Sequence, residues 1–65
     1  MEKDKLIEIL DKTIARLEGE LEMLEQASRV AKDKGNQLES DFYWNNATFV
    51  AGKLKAFEEV RCFIG

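Results

Sequence analysis

Three glutamates are the side chains whose type and spacing come nearest to a chemical site. Glu18, Glu22 and Glu25 follow one another at steps of four and three, so on a helix they share part of one surface. Helical bundles that hold two iron ions use such carboxylates, but their sites face inward and add histidine in Glu-x-x-His motifs. The chain contains no histidine. We therefore interpret the three glutamates as a solvated acidic face and expect no metal.

Nucleophilic side chains occur without groups that would activate them. The hydroxyls of Ser28, Ser40, Thr13 and Thr48 have no histidine and no evident lysine base to accept a proton. Cys62 stands near the C-terminal end of a predicted helix, whereas reactive thiols favour helix N-termini. The four glycines are isolated and form no phosphate-binding loop. We expect no enzymatic activity and no cofactor.

The composition is typical of a small helical protein. The chain has 65 residues and no proline, with 45% hydrophobic and 35% charged residues, which favours helices with a full apolar face. A domain of this size buries a small fraction of its surface. Its single cysteine excludes an internal disulfide, so self-association is the expected source of additional stability.

Charge and hydropathy exclude several classes of partner. The formal net charge is −3, and the basic residues are mixed with acidic ones, so nucleic acid is an unlikely partner. The segment Met1–Lys5 is charged and lacks the apolar core of a signal peptide, and no apolar run approaches the length of a membrane span. We expect a cytoplasmic protein with no membrane partner.

A heptad seam runs through the first half of the chain. From Ile7 to Ala31, apolar or small residues recur at alternating steps of three and four, which predicts one helix over about residues 3–34. The seam residues become small toward the C-terminal end of this helix. We expect Phe42 and Tyr43, returning from a second helix, to fill the space there.

One break separates this helix from the next. A turn is predicted at 35–36, where Gly35 can adopt the left-handed conformation and Asn36 can cap a helix with Glu39 as its capping-box partner. The second helix is predicted over about residues 37–63. So short a connection makes the helices antiparallel neighbours. The chain is therefore predicted to be a single all-α domain over residues 1–65, an antiparallel two-helix hairpin.

Centring the turn between Gly35 and Asn36 predicts which residues meet. The predicted layers are Ile7 with Ile64, Ile14 with Phe57, Leu17 with Leu54, Leu21 with Val50, Leu24 with Ala47, and Ser28 with Tyr43. The same register places Lys53 opposite Glu18. It also places Arg61 near Asp11 and Glu8, so that both cations form ion pairs at the edge of the seam.

The second helix carries more apolar surface than one neighbour can cover. The hairpin is therefore predicted to form a homodimer, a four-helix bundle that removes the remaining row from water. The predicted dimer interface consists of Leu6, Ile9, Phe42, Phe49, Ala56, Val60 and Phe63. Asn46, within the same arc, is expected to hydrogen-bond across the dimer and set its register.

A parallel coiled coil is the alternative dimer. Isoleucine at a positions and leucine at d positions, as at Ile7 and Leu10, favour a parallel two-stranded coiled coil in which helix 1 of one copy packs on helix 1 of another. That arrangement would leave the aromatic residues of helix 2 without a place to be buried. We therefore favour the dimer of hairpins.

A second surface is a candidate for binding another protein. Trp44 projects away from the core rows, and tryptophan is enriched at binding hot spots. Its flank carries Thr48 and Lys55, and the acidic face formed by Glu18, Glu22 and Glu25 completes the set of candidate partner-binding residues. Two other interpretations remain open, in which Trp44 packs across the dimer near the turn and the glutamates are simply solvated.

Parts of the second helix resemble a known group of proteins. The segments Tyr43–Trp44, Ala51–Lys53 and Ala56–Val60 are similar to the closing helix of short phage and prophage proteins of Gram-positive bacteria. The resemblance implies a small accessory protein that acts in a bacterial host cell by binding. Inhibitors of host anti-phage defence are prominent among such proteins, so a host or phage protein is the implied partner.

Three functions therefore follow from the sequence. The first is a homodimeric interaction module that binds and inhibits or modulates another protein. The second is a purely structural dimerisation or assembly module. The third is a small regulator associated with nucleic acid, which the mixed charge disfavours.

Overall fold

Two antiparallel helices make up the fold. The structure, a computed structural model, describes residues 2–65. Helix α1 spans Lys3–Asp33 and helix α2 spans Gln37–Ile64. The molecule measures 49 × 14 × 14 Å, close to the length that about 1.5 Å per residue gives α1. The predicted all-α helical hairpin is confirmed.

Gly35 closes α1. Its φ of 80° lies in the left-handed region that side chains disfavour. The N–H of Gly35 donates to the carbonyl of Lys32 at 3.0 Å, and the N–H of Asn36 donates to the carbonyl of Ala31 at 2.9 Å. These are the two hydrogen bonds of a Schellman motif, which satisfies carbonyls that the end of a helix leaves free.

Asn36 then opens α2, although not through a complete capping box. Its Oδ1 accepts from the backbone N–H of Glu39 at 3.1 Å, as predicted. In a capping box the glutamate would accept from the backbone N–H of Asn36, but that N–H already donates to Ala31. Glu39 accepts instead from the side-chain Nδ2 of Asn36 at 2.8 Å. Asn36 thus hydrogen-bonds both to the end of α1 and to the start of α2.

The core lies in the middle of the hairpin, where the predicted register holds. Leu17, Val50 and Leu54 form a buried cluster, and Leu17 is only 2% exposed. The half-buried residues packed against this cluster are Ile14, Leu21, Leu24 and Phe57. Full burial of a large apolar side chain such as Leu17 stabilises the fold by about 1.5–3 kcal/mol.

Two serines pair near the turn, where an aromatic layer was predicted. The hydroxyl of Ser28 donates to the backbone carbonyl of Ser40 at 3.0 Å, and the two hydroxyl oxygens lie 3.1 Å apart. Phe42 is 62% exposed and Tyr43 only half-buried. The prediction that Phe42 fills this end is therefore wrong, and Ser28 hydrogen-bonds to Ser40, whereas Tyr43 lines a hollow beside Ala27 and Ala31 of α1. The small serine side chains allow the backbones of α1 and α2 to lie close together, and the two hydroxyl groups hydrogen-bond to each other.

One of the two predicted cross-helix ion pairs forms. The Nε of Arg61 donates to Oδ1 of Asp11 at 2.8 Å, which confirms that prediction. Lys53 makes no ion pair with Glu18 within residues 2–65, and its Nζ lies 4.9 Å from the centre of the Phe49 ring instead. Phe49 stands one turn earlier on the same helix, so Lys53 reaches it without crossing the hairpin.

Candidate interaction surfaces

The hairpin leaves a row of apolar residues of α2 in water, which we call the α2 row. It consists of Leu38, Phe42, Phe49, Ala56, Val60 and Phe63, all exposed. Phe63 is 92% exposed and Phe49 67% exposed. The row is exposed because α1 can cover only one side of α2, and that side is occupied by Ala47, Val50 and Leu54.

A shorter apolar row accompanies it on α1, which we call the α1 row. Ile9, Met23 and Val30 are exposed, Met23 by 71%. Leu6 and Ala27, on the same flank, are half-buried. The sequence interpretation included Ile9 and Leu6 but missed Met23 and Val30. The signal was available, since Ile9, Met23 and Val30 share a seven-residue spacing in which Arg16 is the interruption.

A hollow between the helices opens beside the α1 row. The hollow has a volume of about 370 Å³ and is lined by Glu20, Met23, Leu24 and Ala27 of α1 and by Tyr43 of α2. Its lining is almost wholly apolar, and Met23 contributes both to the cavity and to the exposed row. An apolar hollow that opens beside an apolar row extends the surface that a partner could cover.

Two polar residues interrupt the α2 side of this surface. The Nδ2 of Asn46 donates to the backbone carbonyl of Phe42 at 2.9 Å, so one of its donors is used within its own helix. Lys53 lies over the Phe49 ring, where its charge meets the negative face of the ring. In the single chain neither residue is directed at the other helix by a hydrogen bond or ion pair among residues 2–65.

The Trp44 surface lies on the opposite flank of the hairpin. Trp44 is 57% exposed and stands between two hollows. One, of about 190 Å³, is lined by Leu21, Glu25, Trp44, Ala47, Thr48 and Ala51. The other, of about 320 Å³, is lined by Ser28, Arg29, Lys32, Gln37, Ser40, Asp41 and Trp44. The indole therefore projects between two hollows, and a partner could contact it from both sides.

The structure brings together part of the predicted partner-binding set. Glu25 is half-buried and lines a hollow with Trp44 and Thr48, whose hydroxyl donates to the carbonyl of Trp44 at 3.0 Å. Glu18 and Glu22 are exposed and line neither hollow. Lys55 is also exposed, farther along α2. Within residues 2–65, none of the three glutamates makes an ion pair.

A metal-binding cluster and a helix able to cross a membrane are both absent from residues 2–65. In that part of the chain, no acidic, cysteine or histidine side chains gather into a group that could hold a metal ion. Neither α1 nor α2 combines the length and the apolar content that crossing a membrane requires. Cys62 is a free, exposed thiol.

The two surfaces differ in character. The two rows are apolar and extend along the hairpin, whereas the Trp44 surface has one large anchor between a mostly apolar hollow and a hollow lined by polar residues and charges of both signs. Comparison of the chain with protein-family models, with curated proteins and with solved structures finds no match.

Proposed function

We propose that this chain is a non-enzymatic interaction protein. It self-associates through the α1 and α2 rows into a homodimeric four-helix bundle, and the dimer binds and inhibits or modulates another protein through the Trp44 surface. The observation that carries the proposal is the α2 row, in which Phe42, Phe49 and Phe63 are mostly exposed in the single hairpin. Apolar patches of this extent mark interfaces.

The surface area of the single chain supports association. The chain exposes 5075 Å², whereas a compact monomer of 7.5 kDa would expose roughly 4,250 Å² by the usual scaling of area with mass. The excess is about 800 Å², the area that each partner buries in an interface of standard size. A dimer that covered the two rows would bring the exposed area to the expected value.

The Trp44 surface supports a second, different partner. Covering the two rows leaves Trp44 in water, because it lies on the other flank. Tryptophan gives a large contact area at little cost in conformational entropy and is enriched among hot spots. The mechanism is steric, since a rigid helical face would occupy the functional surface of its target. The resemblance of α2 to phage accessory proteins makes a bacterial host defence or regulatory protein the expected target.

The oligomeric state tests the first part of the proposal. Light scattering on the wild-type chain should give twice the mass of 7.5 kDa. Phe49→Glu should give a monomer that is still helical, because it places a charge at the interface but not in the hairpin core. Thr48→Glu, at the neighbouring exposed position on the other flank, is the matched control and should remain dimeric. A wild-type monomer at all concentrations would contradict the proposal.

Trp44→Ala tests the second part. The variant should keep the mass of the dimer and lose both the binding and the inhibition of a protein that the wild-type chain captures from the bacterial host. A lost anchor at a hot spot costs about 2 kcal/mol or more, a factor of roughly 30 in affinity. Glu59→Ala, at an exposed position about four turns from Trp44 on the same helix, is the control for a general surface effect. If Trp44→Ala binds and inhibits like the wild type, the purely structural dimerisation module is the better description.

A further inference from the structure

Both exposed rows contain residues at a seven-residue spacing. Along α1 the positions seven residues apart are Ile9, Arg16, Met23 and Val30, and along α2 they are Phe42, Phe49, Ala56 and Phe63. A seven-residue spacing is the pattern with which one helix lies along another. Each row has one member unlike the others, the long cation Arg16 on α1 and the small Ala56 on α2.

The rows complement each other when they are laid antiparallel in the register of the hairpin. That register is set by contacts within the chain, where Asp11 meets Arg61 and Leu17 packs with Leu54. In the same register Ile9 faces Phe63, Met23 faces Phe49, Val30 faces Phe42, and Arg16 faces Ala56. Apolar residues thus meet apolar residues, and the longest side chain meets the smallest. Large against small is the arrangement that fills space between helices.

The charged residues beside the rows follow the same register. Glu20 falls opposite Lys53, and Lys34 falls opposite Glu39. Within residues 2–65 neither pair is joined as an ion pair, since Glu20 lies 3.9 Å from Arg16 and Lys53 lies over Phe49. One chain cannot bring its own two rows together, because both remain exposed beside the seam that joins α1 to α2. A second copy can supply the matching row.

We infer that a second copy of this chain packs with its α2 on the first copy's α1 and its α1 on the first copy's α2. The inference rests on the proposed self-association and specifies its geometry. The two-fold axis runs parallel to the helices, so equivalent residues of the two copies stand at the same height. The register within the hairpin is for this reason also the register between copies. Every helix is antiparallel to both neighbours, which suits the helix dipoles.

The other way of stacking two hairpins face to face fits less well. If the two-fold axis were perpendicular to the helices, α2 would lie on α2 and α1 on α1, and the central residues of each helix would meet their own copies. Lys53 would then approach Lys53 of the second copy, and Glu20 would approach Glu20. Like charges opposed across an interface are destabilising. Arg16 would also lose its match with Ala56.

Disulfide trapping distinguishes the two arrangements. Met23→Cys and Phe49→Cys are prepared as separate chains, each with Cys62→Ser to remove the native thiol. They are mixed, allowed to exchange, and oxidised gently. A disulfide requires Cα atoms about 4.4–6.8 Å apart, so only facing positions are trapped. We expect the mixture to give the 23–49 product as the main covalent dimer and each chain alone to give little. Met23→Cys mixed with Thr48→Cys is the matched control and should also give little.

The results separate this inference from the proposal on which it rests. A wild-type chain that is monomeric by light scattering overturns the self-association itself. A wild-type dimer whose mixture gives no 23–49 product overturns only the geometry, and a Lys53→Cys chain, also with Cys62→Ser, that links to itself identifies the arrangement with the perpendicular axis. Circular dichroism of each cysteine variant checks that the helices are retained.

Discussion

The buried serine pair shows how a hydrogen bond can replace an apolar layer. Ser28 and Ser40 are both less than one-tenth exposed, and the Ser28 hydroxyl donates to a backbone carbonyl on the other helix. The Ser40 carbonyl also accepts from the N–H four residues on within α2, so the Ser28 hydroxyl adds a second hydrogen bond to it. The pair therefore holds α1 and α2 together near the turn.

Substitution of the two serines should have unequal effects. Ser28→Ala removes the donor to the Ser40 carbonyl and the contact between the hydroxyls, and it should lower the free energy of unfolding by about 1–2 kcal/mol. Ser40→Ala removes only the contact between the hydroxyls and should cost less. Urea unfolding at one fixed chain concentration measures both. Equal losses would show that the bond to the backbone carbonyl contributes nothing.

Each helix has one row of residues in the core of the hairpin and another row exposed to water. On α1, Leu17 belongs to the buried core of the hairpin, whereas Met23 belongs to the row that faces outward. The hairpin and the proposed dimer would therefore depend on different residues of the same helix, and substitutions can separate them.

Leu17→Ala and Met23→Ala should separate the stability of the hairpin from that of the dimer. Leu17→Ala should cost about 2–5 kcal/mol of unfolding free energy, because it removes the most deeply buried large side chain. Met23→Ala should leave the helices formed in the monomer but weaken association. Thermal unfolding at several chain concentrations measures the difference, since only association makes the midpoint depend on concentration. The two variants should not behave alike.

At the scale of the whole molecule, charges beside the rows should decide which copies associate. Glu20→Lys and Lys53→Glu should each weaken the homodimer on the order of tenfold, since two ion pairs per dimer become repulsive. Mixing the two variants should restore association, because each altered charge then meets its opposite on the other copy. Sedimentation of the separate and mixed chains at low salt measures this. Glu22→Lys, on the other flank, should have no such effect, and failure of the mixture to associate would show that these residues do not face each other between copies.

The predicted hairpin followed from local and periodic features of the sequence. The heptad spacing from Ile7 to Ala31 and the glycine at Gly35 are readable from the chain, because helix periodicity and the left-handed turn are properties of short segments. The register through Leu17 and Leu54 and the pair of Asp11 with Arg61 followed from the length of the turn. The same periodicity contained the α1 row, although Met23 and Val30 were overlooked.

The contacts that were predicted wrongly depend on the distance between the two helices. The residue pattern of one helix does not set that distance. Ser28 hydrogen-bonds to Ser40 because small residues allow the backbones to lie close together near the turn, whereas Phe42 lies on the side of α2 that α1 does not cover. Lys53 takes the ring of Phe49, one turn away, in preference to a carboxylate across the hairpin. The chain thus carries the pattern of its helices in its spacing, whereas the choice among competing neighbours depends on the distances that packing sets.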